Sequence, residues 1–324
     1  MNKYNFCTLF DSNYLIKGVA MIQSLQRVCP EASVFVLCMD GYVEEILKQV
    51  FSRKIHCISL KEIETEELLL AKANRGIAEY CWTLSPCLPW YVLENYPDVE
   101  QITYLDADLY FYSSVDPIFS EMGDCSIAIT EHRFTPRLID REIYGRFCVQ
   151  WVSFRRDIDG IACLSRWKEQ CIEWCYFRLE SDRMGDQKYL NAWPTLYKSC
   201  HIIQNLGAGL APWNYPNYSL KSNLQDGFTV NKFQLIFYHF HQFQLLSNGR
   251  FDRISSLYTI ESPEPDAIYI KYEMSILEAL IQIRNISPNF SKGLKDPKLM
   301  TSRRIIQRYV PRIIRNILHK ILGY

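Results

Sequence analysis

The strongest constraint on this chain is a change of hydrophobic period that repeats through its first hundred residues. Residues 4–10 (YNFCTLF) form a short apolar and aromatic run suited to a buried strand. Residues 14–27 then place Leu15, Val19, Ile22 and Leu25 on one helical face. Residues 33–38 (SVFVLC) read as a second strand, ended by the turn residues Asp40-Gly41, and 43–50 read as helix. A third strand is expected at 55–60 and a fourth at 101–106, with a long aromatic-rich helix at 79–95 between them if Pro86 and Pro89 kink it rather than end it. Strand and helix in alternation predict an α/β fold, a mostly parallel sheet flanked by helices on both faces.

The pattern loosens after about residue 120. Strands are expected at 125–130 (CSIAIT) and 148–154 (CVQWVSF), a helix at 160–180, a Pro/Gly/Asn-rich stretch at 205–217 and an apolar run at 233–241 (FQLIFYHFH). Neither a repeat nor a low-complexity linker interrupts this, so one domain is expected over 1–260, followed by a C-terminal helical extension over 261–324. Apolar types at 48% and charged types at 22% are ordinary for a globular protein and exclude disordered or collagen-like chains. The 12 cysteines include no CxxC pair, and Cys171 and Cys175 have helical spacing, so reduced buried thiols are expected rather than zinc. No apolar run approaches the roughly 18 residues of a membrane span, and the first residues lack a signal-peptide core, which points to the cytoplasm.

A nucleotide-binding α/β protein usually carries a glycine-rich phosphate loop. Here there is no GxxxxGK[ST], and Gly207-Ala208-Gly209 runs into Leu210-Ala211-Pro212 rather than a βαβ turn. A bound diphosphate would need another counter-charge, such as a divalent cation held by carboxylates. Asp106-Ala107-Asp108 offers one at the end of the 101–105 strand, where i and i+2 of an extended chain point the same way. Carboxyl ends of parallel strands are also where open α/β sheets bind ligands. The second such tripeptide, Asp157-Ile158-Asp159, precedes Gly160 and reads as a solvated turn. His239 and His241 share the same i, i+2 relation and supply an imidazole suited to Mn²⁺ or Mg²⁺ chemistry beside the carboxylates.

Together these residues resemble the GT-A fold nucleotide-sugar glycosyltransferases, particularly those related to glycosyltransferase family 8. The resemblance spans roughly residues 4–250, through Thr8-Leu9-Phe10-Asp11-Ser12-Asn13-Tyr14, Tyr104-Leu105-Asp106-Ala107-Asp108, Gly185-Asp186-Gln187-Lys188-Tyr189-Leu190-Asn191 and the late histidine. The chain is also similar to uncharacterised bacterial glycosyltransferases carrying counterparts of Tyr80-Cys81-Trp82-Thr83, Trp151-Val152-Ser153-Phe154-Arg155-Arg156-Asp157 and Ala211-Pro212-Trp213-Asn214 in this order. The resemblance implies a metal on Asp106 and Asp108, with His239 as third ligand and His241 as second choice. It implies a nucleoside site at Asp11 to Tyr14, contacts to base or sugar from Trp82 and Thr83, and a place near the donor sugar and acceptor for Asp186 and Gln187. Asp186 has a competing reading as a helix N-cap. Trp213 and Trp151 are the aromatics most suited to stack on sugars.

Three departures from the family pattern stand out. The strand before Trp151 carries Phe147-Cys148-Val149-Gln150 where the relatives carry an Asn and a Gly, and Gly209 stands where they carry Asn. Family 8 places a glycine and then a Lys-Pro-Trp run after the late histidine, whereas here Gln242-Phe243-Gln244 follow. The expected function is metal-dependent transfer of a sugar onto a glycan or lipid-linked acceptor; the alternative is a degenerate relative that binds nucleotide-sugar or glycan without turnover.

Residues 291–324 hold nine basic residues and Asp296 as the sole acid, against 27 basic and 35 acidic residues before them. The net charge of zero therefore joins an acidic domain to a cationic tail. Apolar pairs recur every four residues from Ile305-Ile306 to Ile321-Leu322, interrupted by Pro311. A cationic amphipathic tail without spanning length predicts association with an anionic membrane surface, here the inner face of the plasma membrane. The tail carries no recognised nucleic-acid-binding module, and no nucleic-acid partner is expected.

Overall fold

A computed structural model describes residues 4–223, 227–253 and 265–298. The chain opens with β1 (Tyr4–Phe10), α1 (Leu15–Val28), β2 (Ala32–Cys38), α2 (Gly41–Val50) and β3 (Ile55–Ser59). Two short helices, α3 (Leu60–Ile63) and α4 (Glu66–Ala73), lead to α5 (Ile77–Asn95), β4 (Gln101–Leu105) and β5 (Leu109–Phe111). Next come α6 (Asp116–Met122), β6 (Ile127–Glu131), β7 (Phe147–Arg155), α7 (Ile158–Glu173), α8 (Trp193–Leu196), β8 (Cys200–Ile202) and β9 (Ala208–Leu210). A small antiparallel sheet of β10 (Leu220–Asn223), β11 (Gly227–Val230) and β12 (Phe233–Gln234) precedes β13 (Phe237–His239). The hairpin β14 (Gln244–Leu245) and β15 (Phe251–Asp252) and the helix α9 (Asp266–Ile286) complete the order.

Seven strands form the central sheet in the order β3-β2-β1-β4-β7-β6-β8. Every neighbouring pair is parallel except those made by β7, which runs against both β4 and β6. The expected mostly parallel sheet flanked by helices is thus what forms. All seven residues of β2 are buried, as a central parallel strand requires. Val34 and Val36 join α1 and α9 in one core, while Phe35 and Leu37 join α5 and α7 in the other. Tyr269, Tyr272, Ile276 and Ile283 of α9 share their core with Phe6 and Val19.

Pro86 and Pro89 do not end α5, which runs unbroken with both prolines buried. Around them Thr83, Ser85 and Cys87 turn their side chains onto the carbonyls of Glu79, Cys81 and Thr83. The helix expected at 160–180 stops at Glu173. Beyond it the Arg183 and Arg178 guanidiniums lie 4.7 and 5.5 Å from the Trp174 ring centre, a packing that a continued helix would not give. The second Asp-x-Asp is structural in a different way from a solvated turn. Asp157 caps α7 by accepting a hydrogen bond from Gly160 N at 2.8 Å, and a side chain at Gly160 would collide with the Arg155 carbonyl. The apolar run at 233–241 divides between β12 and β13, leaving His241 past the strand end.

After α9 the chain turns back across the carboxyl edge of the sheet. Phe290 stacks on Tyr42, and Gly293, at φ +79°, presses so closely on the Asn13 carbonyl that a Cβ would lie 2.2 Å from its oxygen. Lys295 N donates to Leu245 O at 3.0 Å, and Ser247 N donates to Lys295 O at 2.9 Å. Residues 299–324, most of the basic tail, lie outside the described residues. Among the described residues no helix is long and apolar enough to cross a membrane.

Candidate active site

The site begins where β4 stops. Asp106 N donates to Gln150 O at 3.2 Å and Leu109 N to Asp106 O at 3.4 Å, so Asp106-Ala107-Asp108 forms a turn rather than the extended segment expected from its spacing. The turn leads into β5, which pairs antiparallel with β13 so that Leu109 faces His239, and Phe240 N donates to Asp108 O at 2.9 Å. Strand pairing therefore lays His239 beside the two carboxylates. Its Nε2 lies 3.0 Å from Asp108 Oδ1 and 3.9 Å from Asp106 Oδ2.

His239 is held from behind. Its Nδ1 is 2.9 Å from Gln150 Oε1, and Gln150 Nε2 donates to Thr130 Oγ1 at 3.2 Å. With the amide nitrogen committed to Thr130, the Gln150 oxygen accepts the Nδ1 proton and Nε2 faces the carboxylates. Trp213, only 2% exposed, meets His239 and His241 edge-on at 5.1 and 5.7 Å between ring centres. Both Trp213 Nε1 and Asn214 Nδ2 donate to the His132 carbonyl, at 2.8 and 2.9 Å. The Ala-Pro-Trp-Asn segment thus props the histidines. Trp151 is likewise buried, among Phe6, Phe111 and Phe237, so neither Trp213 nor Trp151 offers a ring face for a sugar to stack on.

The electrostatics follow from burial and mutual charge. Burial raises Asp106 to about 6, with His239 opposing and Asp108 adding to the rise. Burial also works against the ionised form of Asp108, but His239 and Lys17 outweigh it and hold that carboxyl well below the usual range. Burial disfavours the His239 imidazolium, yet Asp108 and Asp106 prevail and raise it above its ordinary value. His241, buried and repelled by His239, falls to about 3. The site thus concentrates negative charge about an imidazole nitrogen.

Asp106, Cys148 and His239 each offer a ligand atom, all within 4.8 Å of one another, a spacing that suits one divalent cation with metal–ligand distances of roughly 2.0–2.3 Å. The residues present therefore fit such an ion, with Asp108 in contact with the same imidazole. Cys148, Gln150, His132 and Lys17 escaped the sequence reading. Only the departure at Phe147-Cys148-Val149-Gln150 from the family pattern marked any of them, Cys148 and Gln150.

The remaining candidates divide between the site and its supports. The Asp11 carboxylate accepts from Asn13 N, Asn13 Nδ2 and Tyr14 N at 3.0, 2.8 and 3.2 Å, folding the loop after β1 into a tight turn. Tyr14 is 43% exposed, and its ring covers the Lys17 ammonium at 4.6 Å. Trp82 packs against Gly185, whose added Cβ would lie 3.3 Å from the indole. The Thr83 hydroxyl accepts from Arg75 at 2.5 Å and donates to Glu79 O at 2.8 Å, so it is engaged away from the carboxylates. Asp186 is buried, and burial together with the charge of Asp106 raises it to about 7. It does not cap the 3₁₀ helix Lys188–Ala192, whose N-cap position is Gln187. Gln187 Nε2 donates to Tyr144 O at 3.1 Å.

A seven-stranded sheet with these residues at its carboxyl edge is the fold of GT-A glycosyltransferases. An active-site mutant of LgtC matches with a TM-score of 0.51 and 15% identity, covering 84% of this chain and 95% of that one. The apo form of the glycosyltransferase GlyE from Streptococcus pneumoniae matches with a TM-score of 0.50 and 13% identity, covering 87% of this chain and 62% of that one. No family model matches the chain. Over 300 residues it is 33% identical to the uncharacterised protein YfnD of Bacillus subtilis, covering 90% of this chain and 95% of YfnD. The uncharacterised YfnF of the same organism is 29% identical over 295 residues, covering 88% of this chain and 96% of YfnF. The chain belongs to the family of YfnD.

Proposed function

We propose that this protein is a glycosyltransferase that moves a sugar from a nucleotide-sugar donor onto a membrane-associated glycan or surface-polysaccharide precursor. The observation that carries the reading is the convergence of Asp106, Asp108 and His239 at the end of β4, within a glycosyltransferase-type fold. Asp106 and His239 would hold Mn²⁺ or Mg²⁺, with Asp108 rather than the softer Cys148 thiol as third ligand for so hard an ion, and such an ion supplies Lewis-acid stabilisation of charge on a departing nucleoside diphosphate. The Asp11–Tyr14 loop, whose Tyr14 ring covers Lys17, and Trp82, packed on Gly185 next to Asp186, would suit a nucleoside. Buried Asp186 suits a hydrogen bond to a sugar hydroxyl, since its carboxyl is not spent on capping. The tail beyond residue 298, with six basic and no acidic residues, would hold the domain at an anionic membrane.

The test is a screen of nucleotide-sugars with Mn²⁺, scored for metal-dependent release of nucleoside diphosphate. Release or transfer by the wild type, lost in Asp108→Asn, is the expected result. Saturable donor binding without turnover, even with glycan acceptors, would instead support a degenerate binding protein. The Gln187 amide bond to the Tyr144 carbonyl and the absence of a lysine in residues 242–249 favour that second reading.

A further inference from the structure

A helix that is apolar on every side is ordinarily covered on every side. The 21-residue α9 is covered on one. Ile268, Tyr269, Tyr272, Ile276 and Ile283 face inward and lie buried in the core shared with α1. On the opposite side Ile270, Met274, Leu277 and Ile281 are 49, 58, 38 and 59% exposed. Single exposed apolar residues are ordinary, but these four make one continuous stripe.

The spacing of the stripe is specific. Steps of four, three and four residues are the a and d positions of a heptad, the seam along which two α-helices interlock. Ala267 continues the series toward the amino end and Arg284 toward the carboxyl end. A lipid surface or an irregular segment has no need of that repeat, whereas a second helix does.

The seam is self-complementary when it is reversed. An antiparallel copy that sets Met274 against Leu277 also sets Ile270 against Ile281, so all four layers are apolar on both sides. At the ends the small Ala267 leaves room for the long Arg284 of the other copy. Charge selects the same arrangement. Lys271 and Glu278 lie on one flank of the seam, are exposed, and form no ion pair with a described residue. Glu273 and Asp266, on the other flank, are both held by Arg253, at 2.5 and 2.6 Å. Antiparallel helices bring like flanks together, so Lys271 of each copy meets Glu278 of the other with an offset of about 3 Å along the axis. A parallel pair would instead set Glu278 against Glu273.

We propose that this protein forms a two-fold dimer by antiparallel pairing of α9 with α9 of a second copy, joined by two Lys271–Glu278 ion pairs. The proposal goes beyond the glycosyltransferase reading and does not depend on it. The seam from Ile270 to Ile281 is about 17 Å long, which suits a reversible dimer dissociating in roughly the micromolar range.

The experiment is sedimentation equilibrium on the full chain from about 1 to 100 µM. The wild type should dimerise, and Leu277→Asp should be monomeric with an unchanged circular dichroism spectrum. Lys271→Glu and Glu278→Lys should each weaken the dimer about tenfold, and an equimolar mixture of the two variants should recover the affinity, since both interfacial pairs are then of opposite charge. Lys271 and Glu278 are exposed, so these variants test the pairing even if Leu277→Asp folds poorly. A mixture no tighter than either variant alone refutes the antiparallel pairing. A wild type that stays monomeric overturns the proposal, and if truncation after residue 298 then produces dimers, the chain's own tail is what covers the stripe. Dimers that persist in Leu277→Asp use another surface and overturn it equally.

Discussion

Gln150 shows how much one buried side chain can decide. As a departure from the family pattern it cast doubt on activity; in place, it fixes the imidazole that faces both carboxylates. A Cβ at Gly209, which has φ +85°, would lie 2.7 Å from Gln150 Nε2, so the long amide and the missing side chain are complementary. The Asn that relatives carry at 209 and the Gln carried here would compete for one space. Gln150→Leu should therefore weaken Mn²⁺ binding, followed by electron paramagnetic resonance, by about 10–100-fold. Gln150→Glu keeps the acceptor and should retain most of the affinity. Equal Mn²⁺ affinity in Gln150→Leu and wild type would refute the positioning role. Sequence could not reveal this contact, because Gln150 and His239 are 89 residues apart and each sits in an apolar strand context.

At the scale of elements, the first half of the fold was legible because its elements obey local rules. β1, β2 and α1 are short apolar or amphipathic runs bounded by turn residues, and their observed limits fall within two residues of those expected. The small sheets around β9 to β13 were not legible, since strands of two to four residues carry too little pattern. Asp40 joins two elements. One oxygen caps α2 through Val43 N at 3.0 Å, and the other accepts from Ser12 N and Ser12 Oγ at 2.9 and 2.5 Å. Burial alone would raise Asp40, but these hydrogen bonds outweigh it and lower the carboxyl below its ordinary value. A depressed folded value means that the stabilisation is present above the unfolded value, about 3.9, and is lost as pH falls through the folded one. Urea unfolding should show Asp40→Asn less stable than wild type at pH 6, with the gap narrowing toward pH 3. A constant gap across that range would show that the charge is not responsible.

For the whole molecule, the packing of residues 290–298 bounds where a tail proposed to reach a membrane can begin. Residues 290–298 pack on the domain, with Phe290 on Tyr42 and Lys295 on β14, so removal of everything after 290 would damage the site itself. Truncation after residue 298 removes six basic residues and leaves those contacts. The shortened protein should lose sedimentation with anionic vesicles at low salt and keep nucleoside diphosphate binding. Retained sedimentation would locate the lipid contact elsewhere, or dismiss it. The charge asymmetry behind this was plain in the sequence, whereas the return of the chain over the Asn13 loop depends on Gly293 meeting a carbonyl 280 residues earlier.

That return has a consequence for the order of events in a cell. The loop after β1 is covered by residues synthesised after α9, so a nascent chain that has folded its whole central sheet still lacks that cover. The cover forms only when the ribosome has delivered the segment around Gly293, so chains interrupted just before it keep the sheet and leave the Asn13 loop open.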